Sequence, residues 1–194
     1  MAVDSGGTPY GIALAAHDPR VATLGIVSGD APPGAVPEAP AGLPATVSGH
    51  PRLSRWVLRL VGLAARVAPG FTADRGTGML VEADRLVVSE PRARRRFIAM
   101  LRDALRQGPE GTARDLELAA RWWAVAPPAR SVPIHLWHGE ADVDSPPAIA
   151  RYLQERLPGA TLETFPGEGH VSAVIRHADA IVRTLGRDLV TAGP

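Results

Sequence analysis

Met1-Ala-Val-Asp-Ser5-Gly6-Gly7-Thr8-Pro9-Tyr10 runs straight into Gly11-Ile-Ala-Leu-Ala-Ala-His17, and the reading of this stretch decides the fold. A serine followed by two glycines and an apolar run of helical length reads as a sharp strand-to-helix turn that presents the hydroxyl. The residues after the serine must be tiny, because a backbone passes close by there. The helix beyond would aim its N-terminal amides at the serine, where negative charge develops during acyl transfer. Ser-Gly-Gly also suits a flexible loop, so the motif by itself does not separate the two readings.

A chain of 194 residues makes one ordinary domain with room for a substantial core. A hydrophobic fraction of 45% and a mean hydropathy of +0.01 point to a globular chain. Net charge is +1, too weak a field to demand a nucleic-acid or membrane partner. The absence of cysteine excludes disulfides, thiol catalysis and thiolate metal sites. All 21 basic residues are arginine, a compositional bias with no functional message. No charged leader with an apolar core precedes Ser5 and no apolar run reaches membrane-spanning length, so a cytoplasmic protein is the default expectation.

Helix Thr8 to His17 should stop at Asp18-Pro19, and Val21 to Val27 reads as a strand buried on both faces, ending in Ser28-Gly29-Asp30. Strand–helix–strand order predicts a parallel sheet. Ala31 to Pro44 is a proline- and glycine-rich connector. From Pro51 to Pro127 the pattern becomes helical. Leu53, Trp56, Val57, Leu60, Val61, Ala64 and Val67 recur at helical steps. A second helix starts after Ser89 with Pro91 in its first turn, and a third is capped by Thr112 with Asp115 three residues on. Three amphipathic helices without strands read as a cap laid over something else. Alternation then resumes: strand Val132 to Trp137, helix from Ser145-Pro146-Pro147 to Leu157, strand Ala160 to Phe165, and a last helix from Val171 to Leu189. That helix carries Val174, Ile175, Ala178, Ile181, Val182, Leu185 and Leu189 on one expected face.

Ser5, Asp142 and His170 each follow the carboxyl end of an expected parallel strand, where open α/β sheets place their sites. Their chain order is serine, acid, histidine. A serine hydroxyl needs a base within hydrogen-bond reach, and the base needs a carboxylate to fix its tautomer. A loop aspartate capping a turn and a histidine at a helix start are the plain alternatives for Asp142 and His170 singly. The joint arrangement favours a triad.

The segments Ser5 to Tyr10, Pro133-Ile-His-Leu-Trp-His-Gly-Glu-Ala-Asp142 and Pro166-Gly-Glu-Gly-His170 resemble the lid-bearing α/β-hydrolase fold family. The stretch from Arg114-Asp115-Leu116 to Trp122-Trp123 resembles the lid helix that precedes the acid-bearing strand there. The resemblance implies an α/β fold with a parallel sheet, flanking helices and a helical lid. It divides the chain into core at 1–30, lid at 31–128 and core again at 129–194. It also implies a serine hydrolase working through an acyl-enzyme, without a cofactor, on a small-molecule acyl substrate. Ser5 matches the nucleophile, Asp142 the acid, His170 the base and the Gly6 amide one oxyanion donor.

Two departures stand out. The family has a small residue two before the serine, where Val3 should crowd the helix under the turn. The family also has several strands and an oxyanion loop before the elbow, whereas four residues precede Ser5 here. The chain is therefore expected to correspond to the C-terminal part of such a hydrolase, with impaired activity. Its strand Val21–Val27 is expected to expose an apolar edge open to self-association. A non-catalytic relative serving as a binding or assembly partner is the competing reading.

The remaining features read as structural. Arg92, Arg94, Arg95 and Arg96 form the solvated face of a helix rather than a phosphate site. His135 and His138 lack the further ligands a metal needs, so no metal is expected. Trp122 and Trp123, with Trp56, Phe71, Met79 and Met100, are candidates to line an acyl pocket, against the plainer reading as core.

Overall fold

The structure is a computed structural model describing residues 1–37, 50–78, 80–121, 123–128 and 132–191. Its sheet has four parallel strands in sequence order: β1 (Ala2–Asp4), β2 (Leu24–Val27), β3 (Ile134–Gly139) and β4 (Thr161–Phe165). The helices are α1 (Thr8–His17), α2 (Pro51–Val67), α3 (Pro69–Thr77), α4 (Glu82–Ser89), α5 (Pro91–Ala104), α6 (Glu110–Ala119), α7 (Pro147–Arg156) and α8 (His170–Thr191). They fall into two compact units, one of Met1–Pro40 with Trp123–Pro194 and one of Ala41–Trp122.

The first unit holds the sheet, and side-chain alternation along its strands sorts the core into two layers. Leu24, Ile26, Ile134 and Leu136 pack with Ile12 and Ala15 of α1 and Ile149 and Leu153 of α7. Val27, Trp137 and Phe165 point the other way, onto Ala173, Ile181 and Leu185 of α8. Every residue of β2 is buried, as a strand covered on both faces requires. β2 is no edge, contrary to the sequence reading. β1 pairs along it in register Ala2↔Gly25, Val3↔Ile26, Asp4↔Val27. The N-terminal amine also donates to the Thr23 carbonyl at 2.7 Å.

The crowding expected at Val3 is relieved by glycine. A Cβ on Gly11 would stand 2.7 Å from Val3 Cγ2, and one on Gly7 3.2 Å from Val3 Cβ. The helix lacks side chains where the valine needs space.

The α8 face differs from expectation. Ile181 and Leu185 are buried, whereas Ile175, Val182 and Leu189 are exposed. The seven apolar residues spread over roughly 120° of arc at 100° per residue, and the sheet covers one side of that arc. At the sheet's amino end, α8 is tied down by Asp188. This carboxylate accepts from Thr23 Oγ1 at 2.7 Å and meets His135 Nε2 at 2.7 Å, while His135 Nδ1 meets Thr161 Oγ1 at 2.8 Å.

Among the described residues of the second unit, five helices stand where three were expected. α3 and α4 are the additions, and α6 begins at Glu110, which leaves Thr112 inside the helix rather than at its cap. The apolar stripe of α2 does not form a core: Leu53, Trp56, Leu60, Val61 and Val67 are exposed, as are Phe71 and Met100. The helix packs through its small residues instead. Ala65 is buried, and a Cβ on Gly62 would lie 3.3 Å from Leu105 Cβ. Arg94 pairs with Asp74, and Arg92, Arg95 and Arg96 are exposed.

Candidate active site

Ser5 follows β1 directly and opens a single 3-10 turn, Ser5–Gly7, before α1. Its φ is 45°, left-handed backbone that costs a non-glycine residue about 1–3 kcal/mol. Thr8 stabilises the turn. Its buried hydroxyl donates to the Ser5 carbonyl at 2.8 Å and accepts from the Asp30 amide at 2.9 Å.

Asp142 lies in the turn after β3, and its side chain is fully buried. Oδ1 accepts from the amides of Asp144 at 3.0 Å and Ser145 at 2.9 Å, while Oδ2 meets His170 Nδ1 at 2.8 Å. His170 opens α8 just past β4. The two loops interlock at Gly139, where a Cβ would strike the carbonyl oxygens of Glu168 and Gly169. The Ala141 amide donates to the Glu168 carbonyl at 2.8 Å across that crossing.

Ser5 and the His170–Asp142 pair share the carboxyl rim of one sheet. Asp4 is in register with Val27, so Ser5 and Ser28 each follow directly on neighbouring strands. Ser28 Oγ donates to the His170 carbonyl at 3.0 Å. Among the described residues no hydrogen bond joins the Ser5 hydroxyl to the His170 ring. A hydrogen-bonded path joins them the long way round: Ser5 carbonyl, Thr8, Asp30, Ser145, Asp142, His170. Trp123 packs partly buried against the first core layer, and Trp122 and Met79 lie outside the described residues.

No family model and no curated protein matches the sequence. Solved structures do. An α/β-hydrolase fold protein from Nakamurella multipartita aligns with 100% of this chain and 69% of its own, at 19% identity and a TM-score of 0.64. A thermophilic esterase from Thermogutta terrifontis aligns over 100% and 66% at 21% identity and 0.58, and the enol-lactonase from Burkholderia xenovorans LB400 over 97% and 64% at 22% identity and 0.57. The chain has the α/β-hydrolase fold. It spans 64 to 69% of the length of these proteins.

In this hydrolase fold the electrostatics separate two histidines. Burial works to lower the pKa of His170, but the Asp142 hydrogen bond and the charges of Asp142, Asp144 and Asp30 outweigh it, so the pKa is raised. His138, buried beside the same carboxylate, is pushed down by desolvation and stays neutral more readily. Its Nε2–H donates to the Ser145 carbonyl at 2.6 Å, which makes it a brace for the acid turn. Asp142, Asp144 and His170 each offer a ligand atom within 4.8 Å of the others. Both Asp142 oxygens are already engaged, so this cluster is a hydrogen-bonded pair rather than an open cation cage.

Asp30, Ser145 and Ser28 belong to this corner and were passed over in the sequence. Ser28 and Asp30 had a signal, their place within three residues of the end of β2.

Proposed function

We propose that this chain carries the catalytic corner of a serine hydrolase that cleaves esters or related acyl substrates of small molecules. Ser5 Oγ attacks the acyl carbonyl while His170 Nε2 takes its proton. Asp142 holds Nδ1–H, fixes the tautomer and stabilises the imidazolium. The Gly6 amide donates to the oxyanion. His170 then returns the proton to the leaving group, and water, activated the same way, releases the acid from the acyl-enzyme. The residues named need no cofactor for these steps, and a cytoplasmic location goes with the reading.

One observation supports it above the rest: a serine held at φ 45° shares a sheet rim with a histidine whose Nδ1 is held by a fully buried carboxylate. Strain of this kind is kept where the surroundings impose it, and it points the side chain out of the turn. The test is covalent labelling with a fluorophosphonate probe. The parent chain should label at one site, and Ser5→Ala should not label at all. A parent that stays unlabelled would instead match a non-catalytic binding or assembly role.

A further inference from the structure

Asp30 is a carboxylate of the catalytic corner with no part in the proposed chemistry. Its position is built rather than incidental. The backbone amide is held by Thr8 Oγ1 at 2.9 Å, the same hydroxyl that supports the Ser5 turn. Its Oδ1 accepts from Ser145 Oγ at 2.6 Å, and the Ser145 amide donates to Asp142, so one buried serine aligns both acids. The second oxygen, Oδ2, is directed toward the elbow, 3.8 Å from where a Cβ on Gly6 would stand. Asp30 is half-buried, and this oxygen stands beside Gly6, the residue whose amide is the proposed oxyanion donor.

A carboxylate there is a poor partner for the negative charge that develops on an ester carbonyl. Placed for the reaction alone, it would be a liability. Burial pushes its pKa up, against the pull of Ser145 and of His170 and His138, so the fold holds this charge at a cost. What a partly desolvated carboxylate at that spot does favour is a cation on the substrate.

Resting on the serine-hydrolase reading, we propose that Asp30 is the specificity-determining carboxylate of the site, selecting acyl groups that carry a positive charge. The partner is a small ester or amide with an ammonium or guanidinium group on its acyl side. Asp30 takes no proton from the reacting atoms. It discriminates by charge before and during attack.

The test compares two esters of the same shape on the parent chain and on Asp30→Asn: p-nitrophenyl 4-(trimethylammonio)butanoate and its uncharged isostere, p-nitrophenyl 5,5-dimethylhexanoate. Asparagine keeps an oxygen for Ser145 and removes only the charge. The ratio of kcat/KM values, cation over isostere, should fall by about tenfold, the scale of one partly desolvated charge pair. The isostere rate serves as the internal reference for each variant, because the ratio alone isolates the charge. Damage to the fold would lower both rates and leave their ratio alone, and Asp30→Ala repeats the reading if the asparagine variant is poorly folded. A ratio unchanged in both variants overturns the assignment while Ser5-dependent turnover stands. Absence of Ser5-dependent turnover of either ester by the parent overturns the hydrolase reading, and this assignment with it.

Discussion

Asp142 shows how a single side chain serves two tasks. Its backbone-facing oxygen closes the turn after β3 and its other oxygen orients His170, so a change of charge can be made with little change of shape. Asp142→Asn should lower kcat/KM for an activated ester on the order of 10⁴-fold, because an amide in that place favours the wrong imidazole tautomer. The acid limb of the pH profile reports the free base. In the parent it should sit above the ordinary histidine value, and in the variant it should move down, since the interactions that raise His170 are lost while its desolvation remains. A limb that stays put would separate Asp142 from the base. The places of these two residues and of Ser5, each just past a strand, were legible in the sequence. Asp30 and Ser145 were not: aspartate and serine are ordinary loop residues, and only coordinates reveal that one hydroxyl spans two acids.

Elements meet here through pairs of residues that make sense only together. Val3 on β1 occupies the space that Gly11 on α1 leaves empty. Gly11→Ala places a methyl 2.7 Å from Val3 Cγ2 and should destabilise the chain by about 1–3 kcal/mol, although alanine is the better helix former. Val3→Ala in the same chain should recover most of that loss, giving a non-additive cycle in urea unfolding. Additive effects would show that the strand and helix do not meet as described. The departure at Val3 was visible in the sequence, but its compensation eight positions later was not, because pattern alone does not say which helical residue crosses which strand residue. α1 itself was read to its bounds from the Asp18-Pro19 stop. In α8 and α2 the apolar spacing identified a helix correctly but misjudged how much of the stripe would be covered. Spacing measures the width of a face, whereas burial depends on the neighbour.

Across the whole molecule, titratable groups pull stability in opposite directions with pH. His138 has its pKa lowered by burial, so the fold favours the neutral ring; its contribution is present above the unfolded pKa and lost as pH falls through the folded one. Asp188 is also lowered, its hydrogen bonds from Thr23 and His135 outweighing desolvation, and it too loses its contribution on acidification. His170 acts the other way. Its folded pKa is raised, so its stabilisation is complete below the unfolded value and disappears as pH rises through the folded value. On the proposed mechanism, deprotonating that same ring creates the general base. Across this one titration the chain should therefore lose melting temperature while kcat/KM climbs, the loss beginning near the unfolded pKa and levelling off near the folded one, where the kinetic midpoint should lie. Thermal melts between about pH 6 and pH 9, a window around the ordinary histidine value, beside ester kinetics over the same range, supply both curves. In His170→Gln the downward slope of melting temperature should flatten, while the acid-side decline attributed to His138 should persist. A kinetic midpoint far from the pH at which that loss levels off would mean that the histidine paired with Asp142 is not the base that limits the reaction.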